Sequence, residues 1–464
     1  MKKLLLLIGI TVLSFFGMTA KGEPLFGVLK PELESHNNVL TVKVLKDPVI
    51  GIYYTKDFLD LAMDGQETLR NLKWLKSLGF NMLVVNVRYF AKWGDCGKLF
   101  IEAAHKDGFL VIAGWGAGNF PEWKNFSAKN DDIFIIDQNG KAGTVPCFNN
   151  PKVQEFINIQ NLCFFKEFKV DGVVIDEPTY PEWGKTERRE NIYCYCSHCG
   201  EIFQKQHGFE IPVIDNLKTI SRNDPKWKLM INFRKSTLTS YIQMVLQGAR
   251  KGNRDLVTQV VLTPEYGLDA YSADLSSILD LKCLDSIQLD PYWVSYGRSP
   301  EWVNSFVTPF TTEAHKQGKS CSFWLQGYLE GGQIKTGIAP GAATKVIDFC
   351  LGGGCDGIIL FCWKGFASNS MQYKDYTWEK YAEEFSLASA KYQNQLSPEA
   401  RIHIWIDSRK YDFIGDAKIT LPPEAVIKIQ IEQPGYRSWQ KEFSAEKSKQ
   451  EEIFEEKYYE TFTK

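Results

Sequence analysis

The chain has 464 residues, 54 of them basic and 56 acidic, for a formal charge of −2. That length exceeds one ordinary core of about 100–200 residues but suits one α/β barrel with a small appendage. The balanced charge excludes a nucleic-acid binder, which would carry a clustered basic excess. Hydrophobic residues at 44% and charged residues at 24% exclude bulk disorder.

The N-terminus reads as a signal peptide over residues 1–22. Lys2 and Lys3 precede an apolar run at 4–16, and Gly17, Thr19 and Ala20 supply small residues for cleavage. The run is too short to span a bilayer, which takes about 20 residues. The expectation is an exported mature chain without an integral membrane segment, placed in the periplasm, on the cell surface or outside the cell.

Short apolar runs then alternate with amphipathic stretches. The runs lie at 49–54, 82–87, 110–114, 172–176, 257–262, 286–289, 322–325 and 357–361. Continuous rather than alternating apolar runs predict parallel strands buried on both faces. Gly79, Gly108, Gly252 and Gly354 precede strands and predict left-handed helix stops. Eight such units predict a (β/α)8 TIM barrel over 40–392, with its active site at the C-terminal strand ends. A doubly wound sheet fits less well, because Tyr53-Tyr54-Thr55-Lys56-Asp57 stands where a Gly-rich phosphate loop would follow the first strand.

A long insertion at 178–225 carries a cysteine cluster. After a linker, Ile402-His403-Ile404-Trp405-Ile406 and Ile427-Lys428-Ile429-Gln430-Ile431 alternate strictly, as half-exposed strands do. Residues 399–446 read as a small β-sandwich and 447–464 as a charged tail.

The predicted strand ends carry the chemistry. Strand four ends in Asp176 and Glu177, fixed by Pro178. Asn86 and Arg88 end strand two, while Glu265, Asp290 and Gln326 follow strands five, six and seven. Aromatic residues join them at Tyr89, Trp115, Tyr292, Trp293, Trp324, Tyr328 and Trp363. Rings can cover the apolar faces of a sugar, while carboxyl groups protonate the glycosidic oxygen and stabilise oxocarbenium-like charge. A carbohydrate substrate is therefore expected, and no organic cofactor. The barrel-mouth alternative is that these rings only close the core. Only 6 His occur, which disfavours a catalytic zinc centre, and no Gly-x-Ser-x-Gly elbow appears.

Cys194, Cys196 and Cys199 follow a C-x-C-x-x-C pattern, which can surround one tetrahedral zinc ion. Reduced thiols or disulfides are the other reading for an exported chain. Cys163, Cys283, Cys321, Cys350, Cys355 and Cys362 read as small packing residues.

These motifs resemble the large barrel clan of glycoside hydrolases that includes the family 42 β-galactosidases. The resemblance spans most of 48–390 and rests on 172–178, on the cysteine cluster leading to Phe203, and on Pro146-Cys147-Phe148-Asn149-Asn150-Pro151. Leu289-Asp290-Pro291-Tyr292-Trp293 and Trp324-Leu325-Gln326-Gly327 are weaker echoes. It implies that Glu177 is the acid/base and that Cys147 is the fourth ligand of a structural zinc. It also implies a nucleophilic Glu where Gln326 stands, and a neutral amide cannot serve. Asp290 or Glu265 could supply the second carboxylate, with Glu177 as acid and Asp290 as partner the favoured pair. Alternatively, the Asp176-Glu177 pair could work by substrate assistance, as in the family 20 and 123 hexosaminidases, or the barrel could bind glycans without cutting them. The sandwich resembles PEGA-type accessory modules through Pro434-Gly435-Tyr436.

Overall fold

The computed structural model describes residues 28–36, 39–54, 65–180, 193–214, 221, 223–264, 273–328, 337–365, 376–393, 395–396, 401–415, 417–420, 426–432 and 439–444. The signal-peptide reading, the charged tail, Glu265 and Pro434-Gly435-Tyr436 lie outside these residues.

Eight parallel strands close into a barrel: Val49–Tyr54, Met82–Asn86, Leu110–Trp115, Gly172–Ile175, Val257–Leu262, Ser286–Leu289, Ser320–Tyr328 and Gly357–Gly365. They are called strands one to eight below. Each pairs in parallel with its sequence neighbours, and strand eight closes onto strand one through Gly357↔Val49 to Leu360↔Ile52. Apolar residues fill both sides of the wall, as the continuous runs predict. One cluster, with Ile50, Leu83, Val111, Val173, Val260 and Ile287, packs the wall against the helices. A second, with Val49, Val84, Ile112, Val174, Val261 and Ile359, fills the lumen.

Three of the four predicted glycine stops hold. Gly79, Gly108 and Gly354 have φ of 83°, 76° and 90°, the left-handed region where a Cβ is penalised. Gly252 differs, since it lies inside the helix Pro225–Gly252, which Asn253 caps with extended backbone. A Cβ there would come within 2.8 Å of Phe165 Cβ and 3.2 Å of Asn161 O. Gly252 is needed for close approach to the helix Pro151–Glu167, not for a turn.

The small β-sandwich is built from both ends of the chain. The strands Arg401–Ile406, Arg409–Ile414, Val426–Glu432 and Trp439–Ser444 form one antiparallel sheet. The other sheet is led by a hairpin, Val28–His36 and Val39–Asp47, which precedes the barrel. Ala417–Thr420 pairs with it antiparallel, Ala417↔Val42 to Thr420↔Val39. Leu40 and Val42 are buried with Ile402, Ile404, Ile406, Ile427, Ile429 and Ile431 in one core. The sequence boundary at residue 40 therefore cuts through this hairpin: half of one sheet comes from before the barrel.

Candidate active site

The lumen beneath the site is plugged by side chains. Trp324 is fully buried and donates from Nε1 to Gln288 Oε1 at 2.6 Å, while the Gln288 amide donates to Gln259 Oε1. Above them lies an aromatic floor. Tyr53 stands 5.5 Å from Trp324 and 4.8 Å from Phe361, and Tyr292 stands 5.5 Å from both Phe361 and Tyr328, between ring centroids.

Strand four delivers two of the acids by different means. Val173 and Ile175 face the helices while Val174 faces the lumen. Alternation therefore carries Asp176 to the lumen side and would send Glu177 outward. Glu177 escapes that fate because its φ is 42°, a left-handed conformation that costs a non-glycine residue about 1–3 kcal/mol. Its carboxyl group interacts with that of Asp290 through both charge and a hydrogen bond. Asp290, after strand six, is 2% exposed, and its Oδ1 is buried without a donor.

Two ionised carboxylates offer only acceptors, so a hydrogen bond between them requires a shared proton. Burial, and then the charge and hydrogen bond of Glu177, push Asp290 well above the usual carboxylate range. Asp176 presents surface to solvent, yet protein crowds it on most sides. Burial and the charge of Glu177 raise its pKa to about 7. Burial first, and then the neighbouring carboxyls, push Tyr53 and Tyr292 above the normal phenol range, so both stay neutral hydroxyls.

On strand two, Asn86 caps the helix Val87–Trp93 by accepting from Arg88 N at 3.1 Å, and its Nδ2 donates to Tyr53 OH at 3.3 Å. Arg88 is exposed and donates to Tyr89 OH at 2.9 Å, with its guanidinium 4.8 Å from the Tyr89 ring centre. Its charge lowers the Tyr53 pKa slightly, against the raising effects of burial and Asp176.

Gln326 is fully buried and saturated. Its Oε1 accepts from Val294 N at 2.9 Å and Ser295 N at 3.2 Å, and its Nε2 donates to Ser295 Oγ at 3.2 Å and Tyr328 O at 3.1 Å. A carboxylate here would set an oxygen against the Tyr328 carbonyl. Gln326 therefore pins the loop that follows Asp290 and Tyr292.

Three of the expected sugar-stacking rings lie elsewhere. Trp115 packs outside the wall against Phe120 and Tyr241, its Nε1 donating to Asn161 Oδ1 at 2.7 Å. Trp363 stacks on Tyr54 and meets Trp74 and Trp378. Trp293 is buried in the same outer core. Trp324 faces the lumen but is sealed beneath the floor. Tyr53 and Phe361 take their places at the site. Their signal was a position on strands one and eight in phase with the lumen-facing residues, which needs the wall's facing to be known.

Four thiols gather beside the barrel. The Sγ atoms of Cys147, Cys194, Cys196 and Cys199 all lie within 4.8 Å of one another, and all four residues are buried. Cys147 is 3.4 Å from Cys196 and 3.6 Å from Cys199. Zinc–sulfur bonds of about 2.3 Å in a tetrahedron imply sulfur separations near 3.8 Å, so the donor set fits that ion. Ile136 N and Asn149 Nδ2 donate to Cys194 Sγ and Cys199 Sγ at 3.4 and 3.3 Å, the contacts that thiolates accept. His198 stands outside the set of four. Of the cysteines read as packing residues, Cys163 is exposed instead, and Cys362 is half-buried.

The fold is a TIM barrel with a small β-domain. No family model matches the chain, and no curated protein does. Among solved structures it is similar to a β-galactosidase from the Antarctic haloarchaeon Halorubrum lacusprofundi. The TM-score is 0.57 at 12% identity, over 74% of this chain and 58% of that one. It is also similar to a catalytic mutant of Gan42B, a GH42 β-galactosidase from G. stearothermophilus, with TM-score 0.56 at 14% identity over 81% and 59%. The PgaB (BpsB) glycoside hydrolase domain from Bordetella bronchiseptica matches with TM-score 0.50 at 13% identity, over 68% and 94%. The chain thus spans 58% and 59% of these two β-galactosidases.

Proposed function

We propose that this chain is an exported glycoside hydrolase whose proton donor is the Glu177–Asp290 carboxyl pair. The observation that carries the reading is the gathering of Asp176, Glu177 and Asp290 at the C-terminal mouth of a barrel shared with glycosidases. Asp290 holds its proton well above the usual carboxylate range, and Glu177, the less buried of the two, is the member placed to donate to the glycosidic oxygen.

The contact revises the expected division of labour. Carboxyl groups that flank a scissile bond stand about 5–5.5 Å apart for retention and about 6.5–9.5 Å for inversion. Two groups sharing a hydrogen bond leave no room for the bond between them. Asp290 is therefore the positioning partner that keeps a proton on the pair, and Asp176 is the second carboxylate. Once ionised, Asp176 opposes the oxocarbenium-like charge or activates water. Tyr53, Tyr292 and Phe361 wall the sugar. A second reading is favoured by Gln326: with that strand end neutral and saturated, a substrate acetamido group would be the nucleophile, oriented by Asp176.

Turnover on a panel of 2-hydroxy and 2-acetamido glycosides tests both. Cleavage of the first kind supports Asp176 as the second carboxylate, and cleavage of the acetamido sugars alone supports substrate assistance. Binding without any cleavage would overturn the hydrolase reading in favour of a glycan-binding protein.

The four thiolates would hold a structural zinc ion, leaving no open position for water. It would tie the insertion after strand four to the loop before the helix Pro151–Glu167. Elemental analysis of protein purified without chelator should find one zinc per chain; folded, zinc-free protein would refute this.

A further inference from the structure

Outside the site and the thiol cluster, Cys350 and Cys355 stand at the two ends of one helix stop. The helix Ala342–Gly352 unwinds through Gly354, whose φ is 90°. Cys355 N donates to Cys350 O at 3.1 Å and Gly354 N to Leu351 O at 3.1 Å. Those two bonds, six-to-one and five-to-two, define a Schellman stop, which brings the side chains of its first and last residues together. Here both are buried thiols, and the Cys355 thiol donates to Gly357 O at 3.3 Å.

We propose that Cys350 and Cys355 form a redox-controlled staple, closing to a disulfide that ties the helix end to the start of strand eight. Closure takes a disulfide oxidant, either glutathione disulfide or an oxidoreductase of the thiol–disulfide class. One cysteine thiolate attacks the oxidant and expels its first thiolate, leaving a mixed disulfide. The other cysteine thiolate then attacks the protein sulfur and expels the second. Two electrons and two protons pass from the cysteine pair to the oxidant, which leaves as two thiols. Burial confines this exchange to folding or local opening. The nearby Cys321 is a poorer partner, because it sits on strand seven with Thr311 Oγ1 3.3 Å from its sulfur. The inference does not depend on the carbohydrate reading.

Asp348 and Asp356 bracket the pair, so cleavage before aspartate releases peptide 348–355 with these two thiols and no other. The full chain, unfolded and refolded with zinc in a glutathione redox buffer, is alkylated in denaturant and then cleaved. The staple predicts a peptide lighter by two hydrogen atoms that takes up no alkyl group, whereas the same peptide from dithiothreitol-treated protein is doubly alkylated. Wild type should also melt higher oxidised than reduced, a difference that vanishes in Cys350→Ser/Cys355→Ser. Double alkylation after refolding in the oxidising buffer would overturn the proposal, as would linkage of either residue to Cys321.

Discussion

The two ends of the barrel use carboxyl groups in opposite ways. At the N-terminal end, four acceptors recur, each just before an even-numbered strand. Asn81, Asp171, Asp285 and Asp356 accept from the second N–H of strands one, three, five and seven: Ile50 at 2.8 Å, Val111 at 2.7 Å, Thr258 at 2.8 Å and Cys321 at 2.9 Å. The three aspartates also meet a basic side chain from the last turn of a helix: His105, Arg250 and His315. At the C-terminal end, Asp176, Glu177 and Asp290 face one another, and two of them have raised pKa values. Each of the three aspartates at the base has both a basic partner and a backbone donor. The mouth instead stores unfavourable charge, the arrangement in which protons change hands near neutral pH.

That contrast can be broken at either end. The largest effect is expected from Asp290→Asn, which removes the shared proton. The rate of glycan hydrolysis should fall on the order of 10³-fold, inside the range usual for acid–base groups. At the base, Asp285→Ala leaves Arg250 facing Thr258 without its counter-charge. It should cost about 3–5 kcal/mol in denaturant unfolding, with the mouth chemistry unchanged.

In the wild-type profile, Asp176 must be ionised to act, so activity should decline as pH falls through about 7. The smallest effect concerns His105. Burial opposes its charge, but the hydrogen bond and charge of Asp171 outweigh it and raise the pKa. The resulting stability is fully present below the ordinary His value of about 6.5 and is lost as pH rises through the raised one. The melting-temperature gap between wild type and His105→Gln should therefore be open in mild acid and close in base. It should correspond to less than about 1 kcal/mol, since the pair is partly exposed.

The barrel was legible because burial on both faces writes itself as continuous apolar runs, and glycine marks helix ends. Asp176, Glu177 and Asp290 were legible as strand-end acids, but their geometry was not. The reach of Glu177 to Asp290 depends on a single left-handed residue, and nothing in Asp176-Glu177-Pro178 announces it. The tryptophans misled for a related reason. Trp115 sits at a strand end as a sugar platform would, yet alternation turns it onto the helices, and Trp363 packs there too although it shares the parity of lumen-facing Ile359 and Phe361. The hairpin at 28–47 was missed because its partner strand, Ala417–Thr420, lies at the far end of the chain, beyond the reach of local pattern.

The most direct test is the rate of glycan hydrolysis by Glu177→Gln against wild type, both shown folded by their unfolding transitions. The isosteric amide keeps the shape of the pair and removes its transferable proton. The account predicts retained glycan binding and a rate reduced on the order of 10²–10⁴-fold. An undiminished rate would contradict it.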